Sequence, residues 1–89
     1  MTQREVERFN DEELVSLASQ GDQAAFTELV KNHQHEVYTL AVRMVADREL
    51  AHDVAQEAFV RAWRAISRFR GDAKFSTWMH RITVNTAFT

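Results

Sequence analysis

The sequence predicts an all-α domain, a compact bundle of four helices with a short loop between the third and the fourth helix. Its 89 residues include no proline and only two glycines, Gly21 and Gly71, so long uninterrupted helices can form. Apolar residues recur at steps of three and four, which is the spacing of one helix face. A chain of this length holds one domain at most.

The first nine residues are polar and lack a clear helical pattern, so residues 1–9 are expected to form a flexible leader before a domain over 10–89. Asn10 has the features of a helix N-cap, with Glu13 three residues later. The first helix is therefore predicted over 11–20. Gly21 ends this helix, because glycine adopts the positive φ of a helix terminus without strain.

The second helix begins after Asp22, whose carboxylate can cap it. It is predicted to end near Ala46. Its apolar residues form one continuous stripe: Phe26, Leu29, Val30, His33, Val37, Leu40, Ala41 and Met44. His33 lies within this stripe and is therefore interpreted as a core histidine.

The third helix follows a new cap at Asp47 and is predicted over 48–67. Its inner face is rich in alanine, which lets a neighbouring helix approach closely. Gly71 and Asp72 then interrupt the pattern and form the short loop. The fourth helix begins at about Phe75, and the apparent helix continues towards the end of the sequence.

The charges are divided unequally along the chain, although the net charge is only −2. Residues 1–57 contain 12 acids and 5 Lys or Arg, whereas residues 58–89 contain 1 acid and 6 Lys or Arg. This division indicates two partners of different charge or one polarised surface. The alternative is a chance distribution over a solvated surface.

Several function classes are disfavoured by what the sequence lacks. Without cysteine it can form no disulfide and no thiolate site. The polar N-terminus lacks the apolar core of a signal peptide, and no apolar run is long enough to cross a membrane. His33 and His35 point about 200° apart on a helix, so they cannot share a metal ion. We therefore predict no enzyme, no cofactor and no metal site.

Three polar residues of the third helix share one side, at i, i+3 and i+4: Asp53, Gln56 and Glu57. Phe59 and Trp63 lie beside them, off the alanine-rich inner face. A polar and acidic patch flanked by aromatic rings suits a protein interface. An ordinary solvated face, on which Glu57 pairs with Arg61, fits the same spacing equally well.

A basic tract runs from the end of the third helix through the loop into the fourth: Arg61, Arg64, Arg68, Arg70, Lys74 and Arg81. Such a tract suits the phosphates of a nucleic acid. Aromatic rings lie among the cations, and rings stack only on bases that are unstacked, as in single or melted strands. Phe69 is the stronger candidate for a base contact, because Phe75, Trp78 and Ile82 have the spacing of a core stripe.

Four segments together resemble the second conserved region of bacterial sigma factors of the extracytoplasmic-function (ECF) group: GDQAAFTELV, DVAQEAFVRAW, FRGDAKFSTWMHRI and VNTA. The resemblance covers the chain from about Glu12 to its end. It implies a bacterial, cytoplasmic transcription initiation module. This module is expected to bind RNA polymerase core and to recognise and melt the minus-ten promoter element.

The resemblance implies a role for each of the two surfaces. The acidic face of Asp53, Gln56 and Glu57 is expected to dock on the clamp helices of the largest polymerase subunit. Neighbouring residues extend this polymerase-binding set: Phe59, Arg61 and Arg64. The two arginines are alternatively expected to contact DNA. An anti-sigma factor is a further expected partner, because many relatives are held inactive by one, and no membrane partner is expected.

The resemblance also implies that the stretch from Phe69 to Asn85 melts the element and reads its non-template strand. A flipped base is expected in a pocket beside the loop, lined by Phe69, Ile82 and Asn85. The remaining members of the predicted DNA-binding set hold the backbone or flank the loop: Arg68, Arg70, Lys74, Ser76, Thr77 and Arg81.

Full members of this group differ from this sequence in two respects: a basic extension usually follows their fourth helix, and it is missing here. They also carry a second, helix-turn-helix domain for the minus-thirty-five element, which is absent here, so we expect a truncated protein with weak DNA affinity. Two other interpretations stay open at this point. One is a helix-turn-helix repressor that binds duplex DNA, and the other is a helical bundle that binds only protein.

Overall fold

The computed structural model describes residues 1–88, which form four packed helices preceded by a single helical turn. The predicted all-α fold class is confirmed, and α2 to α5 are the four predicted helices. A 3₁₀ turn at Ile66–Arg68 continues α4 and leads into the loop. The helices are α1 Gln3–Val6, α2 Asp11–Ser19, α3 Gln23–Val45, α4 Arg48–Ala65 and α5 Phe75–Ala87.

Polar caps start three of the helices as the sequence predicts. Asn10 accepts a hydrogen bond from the Glu13 N–H at 2.9 Å, and the Glu13 carboxylate accepts one from the Asn10 N–H at 3.0 Å. The carboxylates of Asp22 and Asp47 each accept the backbone N–H three residues on, at 3.0 and 2.9 Å. These bonds satisfy N–H groups that have no partner inside the helix, and so they fix where each helix begins.

The helix ends follow from backbone conformation. Gly21 and Gly71 adopt φ of 98° and 75°, values that residues with a Cβ atom rarely reach. Ala46 ends α3 in the left-handed region with φ 56°, where an alanine is strained. The third predicted helix, expected over 48–67, is regular only to Ala65, because its last turn tightens into the 3₁₀ form.

The expected leader, residues 1–9, contains α1. Val6 is fully buried in the core, and the Gln3 side chain donates a hydrogen bond to the buried Glu28 at 2.8 Å. The sequence held one sign of this turn that was overlooked: Thr2 and Glu5 have the spacing of a capping box, and each side chain accepts the other residue's backbone N–H. The flexibility of the leader stays a prediction, and the burial of Val6 provides a way to test it.

The core lies where α3 packs against the other helices. The buried residues that α4 contributes to the main cluster are all alanines, Ala55, Ala58 and Ala62, so the backbones of α3 and α4 can lie close together. The larger members come from α2, α3 and α5, including Leu14, Phe26, Leu29, Phe75 and Met79. Within residues 1–88, no helix combines the length and apolar character that crossing a membrane requires.

Candidate nucleic-acid and protein interfaces

A series of aromatic rings runs from the loop into the core. Phe69 stacks on Trp78, with ring centroids 4.9 Å apart and planes inclined by 25°. Trp78 contacts Phe75 at 5.8 Å, and Phe75 contacts the ring of His33 at 5.0 Å. Phe75 is buried, whereas Phe69 and Trp78 are half-buried. The core-stripe interpretation therefore holds for Phe75 and in part for Trp78, while Phe69 keeps part of its surface exposed.

An open cleft of about 820 Å³ lies beside Phe69. One wall is the loop and the start of α5, represented by Phe69, Lys74 and Ser76. The opposite wall is the first turn of α2 with the residue that caps it: Asn10, Asp11 and Glu12. A cleft of this volume is within the range of small-ligand sites and is large enough for one base.

The structure brings three of the nine predicted DNA-binding residues together. Phe69, Lys74 and Ser76 meet at the cleft. Ile82 and Asn85 do not line it, so the expected pocket formed jointly with Phe69 differs from this cleft. Successive residues of a helix are about 100° apart, so Trp78, Ile82 and Asn85 share one side of α5. Phe69 lies against that side because its ring stacks on Trp78. On the same side, Ile82 is half-buried and Asn85 is exposed.

Four cations of the predicted set are exposed: Arg68, Arg70, Lys74 and Arg81. Within residues 1–88, none of the four takes part in an ion pair. Lys74 is also the N-cap residue of α5, and no side chain caps that terminus. A cation without an ion pair at an uncapped helix N-terminus, as Lys74 is, favours negatively charged groups such as phosphates. Thr77, in the first turn of α5, is exposed as well.

The acidic face of α4 is exposed as expected. Asp53, Gln56 and Glu57 point to solvent, as does Arg64. Glu57 pairs with Arg61 across one turn, with 3.2 Å between Oε2 and Nε. Because both side chains are substantially exposed, this pair contributes little to stability, roughly 0–1 kcal/mol. The pair therefore leaves the face available to a protein partner.

The apolar part of this face was not predicted. Leu50 and Val60 are exposed by 49% and 42%, and both lie on the side of α4 that carries Asp53. Their spacing from Asp53, three residues before and seven after, puts them on this side of the helix but does not show whether a neighbouring helix covers it. Phe59 and Trp63, the expected aromatic anchors, are half-buried and pack against the core cluster.

Sequence reasoning also missed the wall that α2 contributes to the cleft. Asn10 was recognised only as a helix cap, and Asp11 and Glu12 were given no role. No local pattern places the start of α2 opposite a loop some sixty residues later, because that approach depends on how the helices pack. Among residues 1–88, no group of three or more His, Cys, Asp or Glu is placed to hold a metal ion.

Comparison with known proteins identifies the fold and the family. Residues 29–89 match the family described as Sigma-70 region 2. This chain belongs to that family. Sigma-70 region 2 is part of transcription initiation factors, which are not enzymes. Membership favours the sigma-factor interpretation over the two alternatives that the sequence left open.

Individual members of the sigma family are closely similar to the chain. It is 51% identical over 77 residues to the RNA polymerase sigma-H factor of Pseudomonas aeruginosa, covering 86% of this chain and 40% of that protein. It is 48% identical over 81 residues to the ECF RNA polymerase sigma-E factor of Escherichia coli K12, covering 91% and 42%. The chain thus spans about two fifths of the length of these curated relatives.

A solved structure of sigma region 2 supports the fold directly. An engineered region 2 of sigmaE, determined by NMR in complex with GTAAAA, superposes with a TM-score of 0.83 at 46% identity. The match covers 91% of this chain and 84% of that one. The helical packing described above is therefore that of a sigma region 2 domain.

Proposed function

We propose that this chain is the module of an ECF sigma factor that binds RNA polymerase core and captures the melted non-template strand of the minus-ten promoter element. The observation that carries the proposal is the partly exposed ring of Phe69, which lines an open cleft together with Lys74. The related sigmaE region 2 in complex with GTAAAA supports the same class of ligand. The module acts in the bacterial cytoplasm, where promoters are transcribed.

In this proposal the loop takes hold of one unstacked base. The exposed part of Phe69 offers a stacking surface, and the other side of its ring is held by Trp78. A stacked base contributes about 1–3 kcal/mol, which is comparable to the free energy needed to flip it out of a duplex. The module therefore stabilises a base that has already opened. Further along α5, Asn85 is exposed and offers both a donor and an acceptor to a neighbouring base.

The strand backbone is held by Lys74 at the cleft and by three exposed arginines outside the lining of the cleft. Lys74 lies at the uncapped start of α5, where its ammonium group and the helix N–H groups both favour a phosphate. Arg68 and Arg70 lie just before the loop glycine, and Arg81 lies two turns along α5. Ser76 and Thr77 supply hydroxyl groups in the first turn of α5. Binding of this kind is expected to weaken as salt concentration rises.

The polymerase surface in this proposal is the outer face of α4. Asp53, Gln56 and Glu57 provide polar and acidic contacts, with Leu50 and Val60 as the apolar contacts beside them. Interfaces typically combine such an apolar centre with charges that select the partner. The clamp helices of the largest polymerase subunit are the proposed partner. Three further residues adjoin this surface: Phe59, Arg61 and Arg64. An anti-sigma factor is a second proposed partner, and this proposal rests on the family resemblance alone.

One binding comparison tests the DNA part of the proposal. Fluorescence anisotropy measures binding of the chain to single-stranded GTAAAA, to the same sequence as part of a duplex, and to a single strand of scrambled sequence. We expect the single strand to bind more tightly than the duplex. Tighter binding to the duplex would instead favour a helix-turn-helix repressor. Affinity unchanged by Arg68→Ala and Arg70→Ala would favour a bundle that binds only protein.

A further inference from the structure

His33 lies behind the cleft and contacts both of its walls. Its Nε2 is 2.6 Å from Oδ2 of Asp11, which belongs to the α2 wall. Its ring lies 5.0 Å from the ring of Phe75, centroid to centroid, and Phe75 belongs to the α5 wall. The residue itself is buried, with 8% of its surface exposed. His33 therefore touches the two sides of the cleft without lining it.

The contact with Asp11 is a directed hydrogen bond. A carboxylate can only accept, so the proton of this bond is on Nε2 of His33. The other ring nitrogen, Nδ1, is 3.7 Å from Oε1 of Glu36, which is longer than a hydrogen bond. The side chain of Asp11 is 41% exposed, so little besides His33 restrains its carboxylate.

The two walls have few directed contacts with each other. Within residues 1–88, no hydrogen bond or ion pair links residues 10–12 directly to the loop at 69–74. Apolar packing sets the overall distance between α2 and α5, but it lacks the direction of a hydrogen bond. The hydrogen bond from His33 to Asp11 is therefore a directed contact that ties the α2 wall to α3.

We propose that His33 is a positioning residue for base capture: by binding Asp11 and packing on Phe75, it fixes the shape of the cleft. This inference rests on the proposed function, because it assumes that the cleft receives a base. The ring touches no ligand itself. It acts by keeping Asp11 and Phe75 in the arrangement that admits a flat ring beside Phe69.

Two substitutions of His33 separate positioning from simple packing. His33→Phe keeps an aromatic ring against Phe75 and removes the donor to Asp11. His33→Gln keeps a donor, because the amide nitrogen of glutamine occupies nearly the position of Nε2 in histidine. We expect His33→Phe to bind single-stranded GTAAAA about three- to tenfold more weakly, with an unchanged or higher melting temperature. His33→Gln is expected to bind within about twofold of the parent, because it retains the hydrogen bond to Asp11 on which the positioning depends.

Asp11→Ala tests the same bond from its exposed end, where a folding defect is not expected. Removing a negative charge near the cleft would by itself strengthen binding to a phosphate backbone. Loss of positioning predicts the opposite, an affinity about three- to tenfold lower. Glu7→Ala removes an equivalent exposed charge from the leader and serves as the control. It should bind as tightly as the parent or slightly more tightly.

The outcomes distinguish this inference from the proposed function. If Phe69→Ala leaves binding unchanged, the cleft does not take a base and the proposed function itself fails. If Phe69→Ala weakens binding while His33→Phe and Asp11→Ala do not, the cleft takes a base without help from His33, and only this inference is overturned. It is also overturned if His33→Gln binds as weakly as His33→Phe, because the hydrogen bond is then not what matters.

Discussion

The ring of Phe69 lies against the ring of Trp78, at 4.9 Å between centroids and 25° between planes. Trp78 in turn packs against the hydrophobic core, so the loop residue is fixed by a residue of α5. A ring that is already oriented loses less conformational freedom when a base stacks on it. This arrangement gives the loop a rigid stacking surface beside an open cleft.

The first prediction concerns this stacking surface. Phe69→Ala should weaken binding of single-stranded GTAAAA by about 1–3 kcal/mol, because one base loses its aromatic partner. Isothermal titration calorimetry measures the change. Phe88→Ala is a matched control, since Phe88 lies just beyond the other end of α5 and is 79% exposed. Equal affinities for the two variants would show that Phe69 does not contact a base.

A second prediction concerns the phosphate contacts. The logarithm of the binding constant should fall linearly with the logarithm of salt concentration, with a slope of about −0.7 for each phosphate contact to a single strand. Lys74→Ala should therefore reduce the size of this slope by about 0.7. The control is Lys31→Ala, which removes a cation on α3 that pairs with Glu28. A slope unchanged by Lys74→Ala would remove Lys74 from the phosphate-binding residues.

The third prediction concerns the acidic face of α4. Glu57→Arg should weaken binding to RNA polymerase core about tenfold or more, because it places a cation where a basic partner surface is proposed. The fold should survive, since only an exposed pair with Arg61 is lost. Glu7→Arg makes the same charge change on the leader and is expected to bind normally. The docking proposal is contradicted if both variants capture polymerase core equally well in a pull-down titration.

A fourth prediction uses the buried Val6 to test the leader. Val6→Ala removes about two methylene equivalents from the core and should lower the free energy of unfolding by roughly 1.5–2 kcal/mol. Val60→Ala makes the same change at an exposed position, where the effect should stay within about 0.5 kcal/mol. Urea denaturation measures both. Equal, small effects would mean that the leader is flexible in solution, as the sequence alone predicts.

The fifth prediction concerns acid stability. The Ala25 N–H donates to the Asp22 carboxylate, which holds the pKa of Asp22 below its ordinary value of 3.8. A carboxyl group with a lowered pKa in the folded state stabilises the fold above its unfolded pKa. That contribution is lost as the pH falls through the lower, folded-state pKa. Asp22→Asn, which keeps a capping oxygen but does not titrate, should therefore weaken the dependence of the melting temperature on pH below about 4. An unchanged dependence would contradict this assignment.

The leader and the apolar residues of α4 mark the limits of sequence reasoning for this fold. The caps at Asn10, Asp22 and Asp47 were predicted correctly because each depends on a hydrogen bond to a residue three positions away. Val6 was missed because a four-residue helix has no periodicity to detect, and only packing makes it stable. The exposure of Leu50 and Val60 was missed because the sequence cannot show which sides of a helix its neighbours cover.

The sequence alone determined the four longer helices α2 to α5, their starting points and the polarised charge, because these depend on residue type and local spacing, and the resemblance of its motifs indicated the family. Only the tertiary structure placed the first turn of α2 opposite the loop and brought His33 between Asp11 and Phe75. It also placed Phe69 on the cleft while leaving Ile82 and Asn85 outside its lining. Such relations depend on how the core packs, since packing sets the distances between residues that are far apart in the chain.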